Sequence, residues 1–592
     1  MGLAAYSAYL QDENSMFSYQ SVLPYSEARY VMTSGDKEQH LNFRFGRQFM
    51  PRLFVSFAIN FDYSPGIFQN NQSENNYFWL NVNYQTENQR YAVLAYTYRN
   101  KLAMQENGGI INDETYTSHS ESDNSVITTN LNNASTCVKA NGIGMEHYFN
   151  LLPKTIQTKQ ERPKPAVNDT LISKDSLPYD TASNGNLPID SLMVDSITRV
   201  QKGIVDTLPQ LYTTKNRKFT LGRICHSLDF QRNRLYYNET SASSSFYHSY
   251  DTLFSGNTTD TTIVQSIRNT LKWNSLGYQK YNGDVPLFLY AGLSHGMYRV
   301  KRYDYLEEET ATVRDYQQLS VNGGIIVNLF KSTRITAHAD LVTLGYQIGD
   351  FDLRGQWKQF LGTTSRNLGA LIFDADIKRQ SASWFEESYS SNHFRWENDF
   401  NASTYLGFDL KYTYRDYCAG VKQTSIAQYI YFGTDARPTQ YDGIFSVREA
   451  YLSFRQTVKR FIFSGFASVQ KASNEDVMHL PLVSTKLRLA YSQPVFRKKA
   501  TLQPILTVSY FTKYYADAYM PATRSFYIQN DVKIGNYPFI DLALALQVKK
   551  ANLFVSYSNM MQLIGNYNGF VGPHYPMRDK KFFFGINWRL FN

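Results

Sequence analysis

The side chains that could carry out catalysis are scattered along this chain and form no catalytic spacing. The ten histidines show no His-Glu-x-x-His or other metal-ligand pattern, and no Gly-x-Ser-x-Gly nucleophile motif is present. His226, Ser227 and Asp229 are close in sequence, but such a grouping is more often structural than a catalytic triad. The sequence therefore predicts no catalytic residue, no metal ligand and no bound cofactor.

A different set of polar residues alternates with apolar ones at the spacing of a β-strand. Within residues 53–63, apolar or aromatic side chains occupy every odd position and mostly polar ones the positions between. Successive strand side chains point to opposite faces, so one face is apolar and the other meets water. The residues predicted to face a water-filled lumen are Arg44, Asn60, Asp62, Asn81, Asn83, Asp541, Asn587 and Arg589. There they would set the electrostatic potential of a pore; alternatively, they only solvate the wall or pair with one another.

The end of the chain indicates which element positions such residues. From 582 to 590 the even positions are all apolar, whereas positions 585, 587 and 589 hold glycine, asparagine and arginine. A strand that ends the chain needs an earlier partner for its edge, and in a closed barrel that partner is the first strand. The stretch resembles the C-terminal sorting signal of bacterial outer-membrane barrels, which implies delivery to the barrel-assembly machinery.

Composition favours one large β unit in a membrane. The mean hydropathy of the 592 residues is −0.42, and no run approaches the ~20 apolar residues of a membrane-spanning helix. Aromatic residues make up 15%, with 46 tyrosines, which suit membrane interfaces. The net charge of +9 is dispersed, which argues against nucleic-acid binding, and the three cysteines form no zinc or disulfide pattern. We expect an all-β transmembrane antiparallel barrel of roughly 16–20 strands with long polar loops.

One segment departs from strand patterning. Residues 153–216 are rich in Pro, Ser, Thr, Asp and Lys, and we expect them to form a disordered insertion within a single barrel spanning 1–592. Six Asp-Ser/Thr triplets in it resemble the O-glycosylation acceptor of Bacteroidetes; alternatively, they arise by chance from composition. The candidate acceptors are Thr170, Ser176, Thr181, Ser191, Ser196 and Thr207.

The last eighty residues carry a more specific resemblance. Residues 519–529, 535–541 and 573–576, with the terminal strand, are similar to the putative porin family of Bacteroidetes, and residues 46–66 resemble that family's early barrel. The resemblance covers most of the chain except 153–216. It implies a barrel in the outer membrane of a Gram-negative bacterium, and says more about fold than about transport activity.

Two features of the chain leave its organisation open. The first residues lack a basic region and a long apolar core, so no signal peptide is visible. We expect the signal peptide to precede this sequence, and the first strand either precedes it as well or lies within it; otherwise the barrel interpretation is wrong. Residues 349–404 fit either one long bent strand or two, so the side of the membrane that carries the 153–216 insertion stays open.

Three functional hypotheses follow. The first is a porin that admits small hydrophilic solutes by passive diffusion. The second is a plugged structural or accessory barrel of an envelope complex, and the third, a barrel enzyme, lacks any supporting motif. The expected partners are membrane lipids and lipopolysaccharide, the barrel-assembly machinery and small solutes, with no nucleic acid.

Overall fold

The chain forms one closed antiparallel β-barrel. The computed structural model describes residues 4–12, 15–17, 23–35, 37–118, 121, 123–151, 222–240, 243, 246–247, 257–275, 287–303, 312–330, 332–363, 366–565 and 569–591. Each strand pairs with its neighbour in sequence, and the first strand pairs with the last from Tyr25 opposite Phe591 to Thr33 opposite Phe583. The barrel has 22 strands, so the expected all-β transmembrane barrel is confirmed and closes with strands of this chain.

The strands are numbered here in chain order. They are β1 Tyr25–Thr33, β2 Gln39–Met50, β3 Leu53–Ser64, β4 Ser73–Gln85, β5 Tyr91–Glu106, β6 Ala134–Asn150, β7 Arg223–Glu239, β8 Thr258–Asn274, β9 Leu287–Tyr303, β10 Thr312–Leu329, β11 Thr333–Gly345, β12 Phe351–Gly362, β13 Asn367–Gln380, β14 Ser403–Tyr414, β15 Tyr417–Phe432, β16 Pro438–Val458, β17 Phe461–Ala472, β18 Val483–Tyr491 with its continuation Gln493–Val495, β19 Ala500–Phe511, β20 Phe539–Val548, β21 Ala551–Ser558 and β22 Lys581–Phe591.

The two ends of the barrel differ in their connections. At the end where β1 begins and β22 finishes, here the short end, several strands are joined by two-residue turns, as at 51–52, 415–416 and 459–460. Arg52, Arg415 and Lys459 have φ between 53° and 67°, the left-handed backbone that tight hairpin turns require. At the opposite loop end the connections are long, with 107–133, 381–402 and 512–538 among them. Outer-membrane barrels have short periplasmic turns and long external loops.

The 153–216 insertion joins two adjacent strands at the short end. Asn150, the last residue of β6, pairs with Arg223, the first of β7, so the connection leaves and re-enters the barrel where the tight turns lie. The predicted disorder and all six candidate glycosylation sites lie outside the described residues. The structure therefore fixes which barrel end carries the connection, while those predictions stay predictions.

The strand count exceeds the expected 16–20. The alternation within residues 391–401 also predicts a strand, but these residues do not form a barrel strand. They belong to the 381–402 connection, which contains a short helix, Trp384–Glu387, and a small hairpin, Ser388–Ser390 paired with Arg395–Glu397. The stretch that was ambiguous from sequence is two barrel strands, β12 and β13, followed by this loop. Its polar and aromatic residues alternate like a strand because the loop packs its aromatic side chains inside the protein.

Alternation sorts the strand side chains into an outer and an inner face. On β22 the side chains of Phe582, Phe584, Trp588 and Leu590 are exposed on the outer face, whereas Phe583 is buried inside. The same pattern recurs around the barrel, as expected for a wall between lipid and an enclosed space. No helix among the described residues is long and apolar enough to cross a membrane.

Candidate functional site

The polar side chains of the strands lie on the inner face of the barrel. The N-terminal segment of the chain occupies part of the space that this face encloses. Residues 4–12 and 15–17 precede β1 and lie along the inside of β3–β7. The hydroxyl of Tyr6 lies 2.6 Å from the hydroxyl of Tyr519 and 3.2 Å from Glu106 Oε1. Asn100 accepts a hydrogen bond from the backbone N–H of Gln11 at 3.0 Å and donates one to its carbonyl at 2.7 Å. The Asn100 side chain thereby bonds both the backbone N–H and the carbonyl of Gln11, as the backbone of a neighbouring strand would.

The predicted lumen residues of β2–β4 lie beneath this segment or beside it. The guanidinium of Arg44 stands 5.5 Å from the ring centre of Phe17, whose carbonyl accepts a hydrogen bond from Asn81 Nδ2 at 2.9 Å. Asn60 contacts Asp62 at 2.6 Å, and Asn83 is buried. We call the inner face of β3–β7 the covered wall. Arg44, Asn60 and Asn81 thus contact other groups of this chain, and their role in a pore stays a prediction.

The other predicted lumen residues lie near the seam where β22 meets β1. Arg589 Nε donates to Glu27 Oε1 at 3.3 Å, and Asp541 accepts from the backbone N–H of Asn559 at 3.1 Å. Asn587 is buried on the same inner face as Arg589. Their role in setting a pore potential stays a prediction.

A buried ion cluster holds the loop end of this seam. The Glu38 carboxylate, 2% exposed, accepts hydrogen bonds from Arg578 at 2.6 Å and Lys581 at 3.2 Å, and lies 3.2 Å from His40 Nε2. Burial acts to raise the pKa of Glu38, but His40 and the two cations outweigh it and lower that pKa to about 2. The cluster ties the β1–β2 turn to the 559–580 loop.

Two loops from the loop end fold into the barrel and pack together. In the 381–402 loop, Ser383 and Glu386 form a capping box that starts a short helix, and Trp396 Nε1 donates to the carbonyl of Phe385 at 2.8 Å. Phe385 and Trp396 join a buried aromatic cluster that includes Met520 of the 512–538 loop. Sequence alternation alone gives no sign that these residues turn inward.

The tip of the second loop buries a positive charge between the loops and the wall. Arg524 is 2% exposed, and its Nη2 donates to the Tyr389 hydroxyl at 3.2 Å. Tyr389 in turn bonds Asp260 of β8 at 3.3 Å. Burial raises the pKa of Tyr389 to about 12, so this phenol stays protonated at neutral pH.

A second buried pair joins the 381–402 loop to β7. His393 Nε2 lies 2.7 Å from Glu239 Oε2, and the imidazole stacks on Tyr247 with ring centres 3.8 Å apart. Asn392 also donates to Thr258 Oγ1 of β8 at 2.9 Å. The inward loops are therefore held to the β7–β8 side of the barrel by desolvated polar contacts.

The inner face of β11–β16, here the open wall, is organised differently. Lys411 Nζ bonds Asp374 at 2.6 Å and Asp409 at 3.0 Å, and Asp409 accepts a hydrogen bond from Tyr451 at 2.9 Å. Arg354 pairs with Asp352 on β12. These bonds run along the wall itself, and the side chains keep part of their exposure, with Asp340 at 47%. The wall presents both signs of charge to the interior.

Sequence inspection missed the open wall, although its signal is present. On β12 the alternate residues Asp352, Arg354, Gln356 and Lys358 are all polar, with Leu353, Gly355 and Trp357 between them. That pattern equals the one that identified Asn81 and Asn83. What sequence lacks is any sign of which polar faces the loops and N-terminal segment cover.

The charged groups of the open wall converge on one another. They form ion pairs and amide hydrogen bonds between neighbouring strands and along single strands. Among the described residues, no group of three or more His, Cys, Asp or Glu side chains is placed to bind a metal ion.

The chain belongs to the putative porin family, because that family's sequence profile matches residues 1–592. This confirms the resemblance seen in the terminal residues. The fold and the family together identify a barrel of the outer-membrane type. No curated protein matches the chain in sequence.

Several solved structures share the fold at very low sequence identity. The siderophore receptor PirA from Acinetobacter baumannii is 8% identical with a TM-score of 0.61, over 96% of this chain and 81% of that one. The copper transporter OprC is also 8% identical with a TM-score of 0.61, over 97% and 84%. The ferric yersiniabactin uptake receptor FyuA from Yersinia pestis is 10% identical with a TM-score of 0.58, over 97% and 81%. At such identity the likeness shows the fold alone.

Proposed function

We propose that this barrel lets small hydrophilic solutes diffuse across the outer membrane, along the open wall. The observation that carries the proposal is the row of charged side chains on β11–β14, which are partly exposed to the interior and bond one another rather than a covering segment. An inner wall whose charges retain water is what a polar passage requires, whereas a packed wall excludes solutes. The interleaved acids and bases favour neutral or zwitterionic solutes over strongly charged ones.

Single-channel recording of the full-length protein in a planar bilayer tests this proposal. We expect stable open steps, and a reversal potential under a salt gradient that moves toward cation selectivity in the double variant Arg354→Gln with Lys411→Gln. Both substitutions remove positive charge from the open wall, so cations meet a lower barrier.

The matched control removes two cations from the outer face. Arg448 and Lys471 are register partners on β16 and β17, and both are exposed on the outside. Arg448→Gln with Lys471→Gln should leave the reversal potential unchanged. Absence of current from correctly folded barrels, or equal shifts in both double variants, would contradict diffusion along the open wall.

A second candidate function is a barrel closed by its own loops that serves an envelope complex. The buried contact of Arg524 with Tyr389 favours it, because two loops held by desolvated bonds could block the lumen. Replacing residues 384–397 by a short Gly-Ser linker separates the hypotheses. Currents only in this variant would support the closed barrel, whereas currents in the wild type would support the diffusion channel.

We further infer the cellular setting from the family. The barrel would enter the outer membrane of a Gram-negative bacterium through the assembly machinery, which would engage β22, and the triplets of 153–216 would carry O-glycans. Because the flanking strand ends lie at the short end, these glycans would face the periplasm. Intact-mass measurement of the wild type and of a variant tests this. The variant has alanine at all six candidate acceptors, Thr170, Ser176, Thr181, Ser191, Ser196 and Thr207. If the two masses differ only by the six side-chain replacements, glycosylation at these residues is contradicted.

A further inference from the structure

The outer face of β5–β9 carries a dense group of positive charges toward the loop end. The strand register aligns Lys101, Lys139, Arg234 and Lys301 in one row across these strands, with Ile263 of β8 between the last two. The next row toward the short end contains Arg99, Arg232 and Arg299. Seven cations therefore lie on four of these five neighbouring strands, β5, β6, β7 and β9, and β8 contributes none. We call them the basic rows.

Alternation shows that the basic rows lie on the outside of the barrel. Their neighbours on the same strands, Leu102, Val138 and Leu235, are buried against Tyr6 inside. The next register row toward the short end is Thr97, Ile143, Phe230, Ile267 and Met297. The four apolar members of this row are exposed. The cations thus continue directly from the apolar surface that faces lipid.

Acidic side chains neutralise only part of this charge. Lys101 pairs with Glu74 at 2.8 Å, and Arg299 pairs with Asp315 at 2.7 Å. The other five cations have no carboxylate within 4.0 Å among the described residues. The Nε atoms of Arg232 and Arg234 also lack a hydrogen-bond partner in the described part of the chain. Tyr236 orients two of the cations, since Lys139 stands 5.6 Å from its ring centre and Arg234 donates to its hydroxyl at 3.4 Å.

The dimensions suit a ligand with more than one anionic group. Strands about 4.8 Å apart and alternate residues about 6.8 Å apart give a surface of roughly 19 Å by 7 Å. No other part of the described outer face carries a comparable concentration of positively charged side chains. At β16 and β17, for example, the equivalent surface has the single pair Arg448 and Lys471. Clusters of Lys and Arg beside a membrane surface bind anionic headgroups.

We propose that the basic rows bind the phosphorylated headgroup of an outer-leaflet lipid whose acyl chains lie on the apolar row below. Arg232 and Arg234 would donate to phosphate oxygens, and Lys139 and Lys301 would flank them. The exposed side chains of Ile143, Phe230 and Ile267 would contact the acyl chains. A free phosphate would use only the cations, so the adjacent apolar row favours a lipid. This site is independent of whether the lumen conducts.

Binding of lipid A to the full-length protein in detergent tests the proposal. The probes are bisphosphorylated lipid A, its monophosphorylated form and inorganic phosphate, measured by native mass spectrometry and titration. We expect Arg232→Gln with Arg234→Gln to weaken binding of the bisphosphorylated form at least about tenfold. Monophosphorylated lipid should bind the wild type more weakly, and millimolar inorganic phosphate should not displace the lipid.

Two further variants keep the outcome decisive. Arg448→Gln with Lys471→Gln removes the same charge from the outer face elsewhere and should bind lipid A as the wild type does. If the arginine variant fails to fold, Lys139→Gln with Lys301→Gln should show the same loss, because it neutralises the flanking positions. Unchanged binding in the folded basic-row variants, equal loss in the control, or displacement by inorganic phosphate would overturn the proposal.

Discussion

The covered wall and the open wall are both built from alternating strands, but their inward polar residues differ in exposure and in the groups that they bind. On the covered wall, Asn81 and Asn100 are 3% and 1% exposed and bind the N-terminal segment. On the open wall, Asp340 is 47% exposed and Lys411 bonds carboxylates of adjacent strands. The difference teaches that an inward polar residue has two distinct uses. It holds internal segments in place where it is covered, and it contacts water where it is not.

The largest contrast in stability should come from removing a carboxylate. Glu38→Gln removes the buried negative charge that pairs with Arg578 and Lys581, so we expect unfolding to become easier by about 3 kcal/mol. Asp352→Asn on the open wall should cost less than half of that, because water solvates Arg354 there. Thermal unfolding followed by heat-dependent electrophoretic mobility measures both, and equal losses would contradict the division into two walls.

The pH dependence of Glu38 has a definite sign. Its folded-state pKa, about 2, is below the ordinary value of 4.5, so its contribution is complete above pH 4.5 and disappears as the pH falls toward 2. The wild type should lose stability in that window more steeply than Glu38→Gln. Parallel pH profiles would show that the carboxylate is not held by its cations.

Two glycines beneath tyrosines give the next contrast. A Cβ at Gly142 would lie 2.4 Å from the ring of Tyr98 on the covered wall, and one at Gly420 would lie 2.6 Å from the ring of Tyr451 on the open wall. Tyr98 is buried and cannot move, so Gly142→Ala should cost about 1–3 kcal/mol. A Cβ at Gly420 would also lie 2.9 Å from the Cβ of Lys411, but Tyr451 can swing into the lumen, so Gly420→Ala should cost less than Gly142→Ala. Denaturant unfolding of both variants measures the difference, and equal losses would show that the open wall is packed as tightly as the covered wall.

Loosening the N-terminal segment should have a local effect. Asn100→Ala removes both hydrogen bonds to the backbone of Gln11, at a cost of about 1–3 kcal/mol. Hydrogen exchange of residues 4–17 should then accelerate while the barrel strands stay protected. Gln356→Ala on the open wall is the control and should leave that exchange unchanged. Faster exchange in both variants would show that the segment does not depend on Asn100.

The smallest expected change in stability comes from Asp340→Asn. Its carboxylate is half exposed beside His338, so the loss should stay below about 1 kcal/mol. Removing this negative charge should nevertheless move the reversal potential toward anions, because the group faces the lumen. A large loss of stability without such a shift would place Asp340 in a packed region and contradict the open wall.

Strand periodicity alone was enough to predict the barrel and its terminal strand. The alternation in 53–63 and 582–590 requires one apolar and one polar face, and only a closed sheet satisfies every backbone group in a membrane. The number of strands was underestimated because one sequence does not locate strand boundaries closely enough to count them. Residues 391–401 misled because a loop with alternating aromatic residues imitates a strand.

The sequence by itself determined that this protein is a β-barrel of the putative porin family, because side-chain alternation and the terminal motif are local properties of the chain. Only the tertiary structure decided which inward polar residues are covered, where the loops of Arg524 and Trp396 lie, and that cations from four strands form the basic rows. These features join residues far apart in sequence. They depend on strand register and on the path of segments inside the barrel, which no local pattern encodes.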